Sequence, residues 1–570
     1  MPELVTLPPD YYLTNFRALV AFVVARYDDL LSAQERRFYQ AFERLGEDGQ
    51  KLYIRLLSRK GTLFRRTKLH YAEITDLSAA AQQLCAQELL TIDPPLPLSS
   101  YLTLFTKPEL TERGGLTGLK TAKREQVERA LLAAVAEHEA AGVEASPTFA
   151  EAAVIARLMT GESLYQLQGA EHFETFKLCF FGNLRQDLTD YVLRDLGLHR
   201  FESYALDDQN LPFRSREQIE THRCYYACCE HMESALDGDV EGILSLCEQL
   251  PQALPDDAVL RRRLDKCKLS LARQLERLQA LEAAAALYAQ CRQPPARERR
   301  ARIAVKQGDI VAALALCQTM LDAPLNEEER YFAASFGHRT VRQAQCDTTV
   351  SANPMQLWPR PASHKPPLAS VALEQRAESV ELIAAAHLAQ AGPCFYVENS
   401  LFTSVLGLLI WDIVFAAVPG AFFNPFQIAP SDFYTPDFYR LRRASLEQRL
   451  AQVDSAAFAE IVWRNYRNKQ GTVNPLVHWE AMTEALLTLS LSRIPAAQWR
   501  SIFERLLADL RNHRSGLPDL ILFPDAGGYE LVEVKGPGDK LQQNQRRWMA
   551  FFAAHSIPHQ VLQVEWRSDD

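Results

Sequence analysis

Residues 516–540 read GLPDLILFPDAGGYELVEVKGPGDK, two short apolar runs with ionisable residues at their ends. Leu520–Phe523 and Tyr529–Lys535 are separated by Asp525-Ala526-Gly527-Gly528, which is β-hairpin turn chemistry, so the stretch predicts two antiparallel strands. Strand side chains alternate, which places Tyr529, Leu531, Glu533 and Lys535 on one face and Val532 and Val534 on the other. A three-residue loop with Gly528 left-handed pairs Asp525 with Tyr529 and sets Asp519 opposite Lys535, on the face of Glu533. A two-residue loop slips the register by one and turns Asp519 away.

Asp519, Glu533 and Lys535 on one face suit phosphodiester hydrolysis. That reaction uses a hard cation to polarise a phosphoryl oxygen and to lower the pKa of a bound water, and hard cations take oxygen ligands. Asp519 and Glu533, helped by the Val534 carbonyl, are candidate ligands for Mg²⁺ or Mn²⁺, with water completing the octahedron. Lys535 is placed to orient or deprotonate the attacking water, and it also offsets the repulsion between the carboxylates. The plainer alternative is a surface hairpin with an ion pair. Lys540–Ala554 reads as an amphipathic helix that turns Leu541, Trp548 and Phe552 to the sheet, with Gln545 on the same stripe. Gln545 and Lys540 are supporting candidates.

The 570-residue chain exceeds what one core organises, and 47% hydrophobic with 23% charged residues is ordinary globular composition. MPELVTLPPDYYLTNF has no basic then apolar leader pattern, so the expected location is the cytoplasm. The apolar stretch Leu401–Phe423 carries Asp412 and is broken by Pro419-Gly420, which reads as a buried core helix and not a membrane span. Eleven cysteines are too few for a disulfide scaffold, and no structural disulfides are expected. His222, Cys224, Cys228, Cys229 and His231 crowd together without paired C-x-x-C spacing, so they read as core residues before they read as zinc ligands.

The formal net charge of −9 argues against a nucleic-acid partner, but its distribution argues for one. Between Lys51 and His70 stand Lys51, Arg55, Arg59, Lys60, Arg65, Arg66 and Lys68 with no acidic residue. This stripe is a candidate phosphate-binding face, against the alternative of an ordinary solvated helix face. Residues 13–90 show helical spacing, with Phe38, Phe42 and Leu45 on one stripe, and end in the break Asp93-Pro94-Pro95-Leu96-Pro97.

Tyr101–Leu132 then reads as helix, Gly114-Gly115 turn and a second helix entering at Thr121. It resembles a SAP-type DNA-binding module, with Lys120, Lys123 and Arg124 near a helix N-terminus able to meet a phosphate; an ordinary helical hairpin is the alternative. GDVEGILSLCEQL at 238–250 recurs as GDIVAALALCQTM at 308–320, with a weaker copy at 285–291, a TPR-like spacing suited to protein contacts. Five prolines between Pro354 and Pro367 mark a linker, with helices expected at about 374–390 and 399–418 beyond it. The expected division is 1–92, an N-terminal helical basic region; 93–235, a SAP-like and linking helical region; 236–350, helical repeats; 351–372, a Pro-rich linker; and 373–570, the domain holding the hairpin.

The string GLPDLILF, YELVEVKGPGDKL and the following Gln and Trp resemble the VRR-NUC branch of the PD-(D/E)XK nucleases, and most of all the Fanconi-associated nuclease family. LYIRLLSRKGTLFRRTKLHY at 52–71 and YVENSLFTSVLGLLIWDIVF at 396–415 extend the resemblance over nearly the whole chain. It implies a mainly α multidomain protein with a C-terminal α/β nuclease domain. It also implies a Mg²⁺- or Mn²⁺-dependent enzyme that cuts near the 5′ end of flapped or branched DNA, as 5′-flap endonuclease and 5′–3′ exonuclease, in interstrand-crosslink repair. By motif it makes Asp519, Glu533 and Lys535 the catalytic set and Glu398, read as opening the apolar helix, a further metal ligand. Animal members carry a ubiquitin-binding zinc finger whose Cys/His spacing is missing here, so ubiquitin binding is not expected and a bacterial relative, nucleoid-associated, is. The hairpin motif alone leaves two other readings open: a junction resolvase or similar PD-(D/E)XK nuclease, and a noncatalytic DNA-binding scaffold.

Overall fold

A computed structural model describes residues 10–141, 150–186, 200–344 and 364–567. They fall into two compact units, Met1–Leu198 and His199–Asp570. In the first, the helices Tyr11–Tyr27, Ala33–Glu43, Glu47–Leu57 and Ala170–Phe181 enclose an aromatic core. Phe38, Phe42 and Leu45 are all buried there, as their spacing requires, and Phe16 stacks on Phe173 at 4.8 Å. Ser32 and Glu35 form a capping box that satisfies two N–H groups at the start of the second of these helices.

Three short strands, β1 (Leu63–Arg65), β2 (Leu90–Ile92) and β3 (Leu164–Leu167), form an antiparallel sheet in the order β1-β3-β2. Residues on both sides of the proline break at 93–97 therefore share one sheet. Leu98–Leu102, Lys107–Arg113 and Arg124–Ala141 are helical, so the helix expected from Thr121 starts three residues later. Gly115, at φ +81°, turns the chain between them in a conformation that disfavours other residues.

The first half of the second unit is helical and includes Val240–Gln249, Ala258–Arg277, Leu281–Ala289, Ala296–Lys306, Ile310–Asp322 and Glu327–Ala344. The two copies of the repeated Gly-Asp segment are both helix starts. Asp239 caps the Gly242 N–H and Asp309 the Ala312 N–H, each at 2.9 Å. His222 bonds the buried Asp257 at 2.7 Å, and none of the ten described cysteines is disulfide-bonded.

The hairpin lies in a five-stranded mixed sheet, in the order β4 (Leu368–Leu373), β8 (His559–Trp566), β7 (Glu530–Lys535), β6 (Leu520–Leu522), β5 (Cys394–Tyr396). β6 pairs antiparallel with β7 and β5, while β7 and β8 run parallel and are joined through the helix Gln543–Ala554. β4 corrects the expected linker at 351–372, whose last residues pair along β8; its residues 351–363 lie outside the described residues. Pro367 fits at that sheet edge because it lends only its carbonyl, which accepts from the Val561 N–H at 2.8 Å.

The apolar stretch is a pair of buried helices, Leu401–Leu409 and Trp411–Val414, in place of one run to 418, and Asp412 pairs with Arg449 at 2.7 Å. Among the described residues no helix is long and apolar enough to cross a membrane. One sheet face, with Ile521, Phe523 and Leu531, packs on the helical core that includes Trp499, Phe503 and Trp548. The other, with Leu520, Val532 and Val534, packs on Ile383 and Ala384. Each large side chain so buried contributes roughly 1.5–3 kcal/mol, and together they hold the strand ends still.

Candidate active site

Pairing of Leu520 with Val532 and Leu522 with Glu530 sets the hairpin register, and one step further out it sets Asp519 opposite Glu533. The expectation of Asp519 opposite Lys535 is corrected by two residues. The connection is longer than three residues, with Gly527 at φ +101° and Gly528 at φ +75°. An even slip preserves the alternation of faces, so Asp519 and Glu533 still share one. Upstream, Gly516 turns into the motif at φ +84°, and a Cβ there would meet the Asn544 side chain at 2.8 Å.

Glu533 is fully buried and Asp519 is 7% exposed. Lys535 Nζ lies 2.8 Å from Glu533 Oε1, and Gln545 Nε2 donates to the same oxygen at 2.5 Å. Gln545 thus occupies the inner stripe as expected, although the helix starts at Gln543 and leaves Lys540 exposed in the loop before it. The Val534 N–H donates to Asp519 Oδ2 at 2.8 Å. Glu533 Oε2 is buried without a hydrogen-bond partner. Burial, with the Asp519 charge next, pushes the Glu533 carboxyl up to about 7, and burial pushes Asp519 up to about 6.

A buried carboxylate oxygen with no donor calls for a proton or a cation, so the residues present fit a divalent ion. Among the described residues no three His, Cys, Asp or Glu side chains form a ready-made cage. Glu398 lies in the turn after β5 and not in the first turn of the helix, which begins at Leu401. It accepts from the Tyr396 hydroxyl at 2.5 Å, and its charge raises both Asp519 and Glu533. Tyr396 and Glu381, whose charge also bears on Asp519, escape a reading of the sequence because neither lies in the hairpin motif.

The basic stripe divides. Arg65 is 5% exposed and pairs with Glu109 at 2.8 Å and Glu162 at 2.5 Å, with Phe105 under its guanidinium. Arg55 pairs with Glu73 at 2.5 Å and lies over Tyr12, and Lys51 pairs with Glu47. These corrections have one cause: acids outside the stripe neutralise it. Arg59, Lys60 and Lys68 are exposed and Arg66 half-buried. Lys120 and Lys123 are exposed, whereas Arg124 pairs with Glu128 at 2.7 Å and donates to the Leu102 carbonyl. Arg65→Ala strands two carboxylates, so we expect it to destabilise the protein by about 3–5 kcal/mol in urea denaturation while leaving the salt dependence of DNA binding unchanged.

The second unit also holds an open cleft of about 1050 Å³, lined in part by Arg261, Arg262, Lys266, Arg292, Arg440 and Arg511. Arg262 and Arg440 both pair with Asp437, and Arg261 donates to the Leu254 and Pro255 carbonyls. Lys266 and Arg511 are exposed and have no ion-pair partner among the described residues. The cluster Arg261, Arg262, Arg263 and Lys266 is the sequence signal for this cleft, whose other cations, Arg292, Arg440 and Arg511, come from separate segments.

Two acidic residues and a lysine on adjacent strands of a mixed sheet, crossed by a helix that returns a glutamine to the site, define a PD-(D/E)XK-type nuclease. Comparison with known proteins agrees. Residues 454–566 match the VRR-NUC domain and residues 10–91 the FAN1 HTH domain, which lies ahead of the SAP-like segment. The chain is 36% identical to a Fanconi-associated nuclease 1 homolog of Pseudomonas aeruginosa, over 99% of this chain and 97% of that one. It is 26% identical to human Fanconi-associated nuclease 1, over 95% of this chain and 61% of the human protein. A crystal structure of paFAN1 bound to 5′-flap DNA with a 2-nucleotide flap and a gap superposes with a TM-score of 0.81 at 35% identity, covering 99% of this chain and all of that one. The chain belongs to the Fanconi-associated nuclease family. It is a DNA nuclease, and its VRR-NUC domain implies dependence on a divalent metal.

Proposed function

We propose that the protein cuts DNA near the 5′ end of a flap or branch, as endonuclease and 5′–3′ exonuclease, in the repair of interstrand crosslinks in the cytoplasm or nucleoid. The observation that carries the reading is the buried Asp519–Glu533 pair with its unpartnered Glu533 oxygen, beside Lys535. The flap preference is supported by the paFAN1 crystal structures, which hold DNA with 1- and 2-nucleotide 5′ flaps.

Asp519, Glu533 and the Val534 carbonyl, with Glu398 as a further oxygen donor, would hold Mg²⁺ or Mn²⁺. Such an ion supplies a Lewis acid for the scissile phosphate and lowers the pKa of water. Gln545 and Lys535 both hold Glu533 Oε1 and so fix its rotamer. The lysine ammonium, 2.8 Å from Glu533, would orient the attacking water by donating to it, and only as the neutral amine could Lys535 take its proton. Lys266 and Arg511 in the cleft offer a seat for a terminal phosphate.

The test is cleavage of end-labelled 5′-flap, 3′-flap, four-way-junction and linear duplex DNA in Mg²⁺, Mn²⁺ or EDTA. Metal-dependent cuts confined to the 5′ flap support the reading. Junction cleavage favours a resolvase, and binding without cleavage a scaffold. For duplex binding we assign the exposed cations Arg59, Lys60, Lys68, Lys120 and Lys123 to phosphate contacts. Replacing Arg59, Lys60 and Lys68 together by Ala lowers the slope of log K against log salt by about 0.9 for each phosphate no longer neutralised, measured by fluorescence anisotropy on two unrelated sequences. An unchanged slope removes those three from the interface.

A further inference from the structure

Glu327 opens the helix Glu327–Ala344, in the helical repeats and 192 residues before Asp519 in sequence. Its setting is rigid. Glu329, one position beyond its neighbour, is fully buried, accepts from Arg297 Nε at 2.8 Å and from the Leu325 N–H at 2.7 Å, and has its own N–H capped by Asn326. From that frame the Glu327 carboxylate faces three nitrogen groups of the catalytic half: Arg505 at 2.7 Å, His513 Nε2 at 3.3 Å and Arg547 at 3.8 Å.

Those partners lead to the site from two directions. His513, whose Nδ1 lies 2.6 Å from the Arg505 carbonyl, closes the short helix Leu510–His513 six residues before Asp519. Arg547 stands two positions after Gln545, the residue that holds Glu533 Oε1, and Arg547 also pairs with Glu328 at 2.9 Å. Arg505 crosses between them, stacked 4.8 Å over both Trp548 and Phe551, while Trp548 Nε1 donates to the Ser515 carbonyl at 3.2 Å.

We propose that Glu327 is a positioning residue for cleavage: one carboxylate from the repeats ties the segment that delivers Asp519 to the helix that delivers Gln545, and so sets the separation of the two carboxylates that meet the cation. The proposal rests on Asp519 and Glu533 being the catalytic pair. His513, Arg505 and Arg547 surround Glu327, and the first two hold its carboxyl well below the usual carboxylate range, at about 2. Reactivity is steep in position, since misplacing reacting groups by about 1 Å costs about 10²-fold in rate.

The experiment uses the full chain carrying Glu327→Gln, Glu327→Asp, Asp519→Ala or, as a control, Glu447→Gln, which breaks an exposed surface pair with Arg443. Four quantities are read: kcat on a 5′-flap substrate, DNA affinity, Mn²⁺ affinity without DNA by calorimetry, and melting temperature. Glu327→Gln should lower kcat about 10- to 100-fold and weaken Mn²⁺ binding several-fold, with DNA affinity unchanged. Glu327→Asp should recover part of both, and Glu447→Gln should match wild type. Wild-type kcat and Mn²⁺ affinity in Glu327→Gln overturn the clamp. So does a lowered melting temperature with unchanged kcat per folded molecule, which makes Glu327 a structural brace. Asp519→Ala separates the two claims: if it is inactive while Glu327→Gln is normal, only the clamp fails, and if it still cuts, the catalytic assignment itself fails.

Discussion

Asp519→Ala and Glu533→Ala each abolish cleavage while DNA affinity stays near wild type. Both residues are buried and share one sheet face, Asp519 just before β6 and Glu533 within β7, and the cations assigned to phosphate contacts, Arg59, Lys60, Lys68, Lys120 and Lys123, belong to the other compact unit. A Lewis acid contributes several kcal/mol to such a reaction, so losing one of its two buried ligands lowers the single-turnover rate by about 10³-fold or more. The fold survives either change. Asp519→Ala leaves the Val534 N–H without its acceptor, a cost of about 1–3 kcal/mol, but it also removes a charge that burial disfavours. Asp519→Asn keeps an acceptor for that N–H and should be as inactive as Ala. A purified variant of either residue with substantial metal-dependent turnover refutes the assignment.

What is legible in the sequence follows the range of its interactions. Hairpin chemistry and strand alternation are local, so the shared face of Asp519 and Glu533 can be read even though the turn residues imply a shorter loop than the one that forms. That difference is harmless only because it is even. Gln545 is found because helical spacing places it on the stripe with Trp548 and Phe552. Charge is harder to read, because an ion pair needs no sequence proximity. Arg65 has the look of a phosphate-binding residue in its stripe, and its partners Glu109 and Glu162 lie 44 and 97 residues away. β4 is hidden for another reason: an edge strand buries little, and Leu368–Leu373 follows two prolines that argue for a linker.

Glu533→Gln raises the melting temperature of the metal-free protein at pH 8 and raises it much less at pH 5. Burial and the Asp519 charge raise the folded-state carboxyl of Glu533 from an ordinary 4.5 to about 7. Between those values the native state binds more protons than the unfolded chain, so stability declines as pH rises through the window and the penalty is complete above it. A difference of one in pKa between the two states is worth about 1.4 kcal/mol. Part of the rise comes from Asp519, which takes up its proton at about 6, so the two carboxylates titrate as a pair and relieving one relieves both. The glutamine is nearly isosteric. Its carbonyl can still accept from Gln545 and Lys535, and its amide fills the position of the unpartnered Oε2. Offset by the Lys535 ammonium left facing a neutral group, the net gain at pH 8 in EDTA is about 1–3 kcal/mol, a rise of roughly 2–6 °C. Adding Mn²⁺ at pH 8 should then raise the wild type above its metal-free value and move the variant little, since a bound cation stabilises only a fold that offers it ligands. A surface hairpin holding an ordinary ion pair predicts the reverse: Glu533→Gln would break a satisfied ion pair, lower the melting temperature at pH 8 and leave the response to metal as it was. Scanning fluorimetry of both proteins at the two pH values, with and without Mn²⁺, therefore separates a site strained for catalysis from one built for stability, without depending on any DNA substrate.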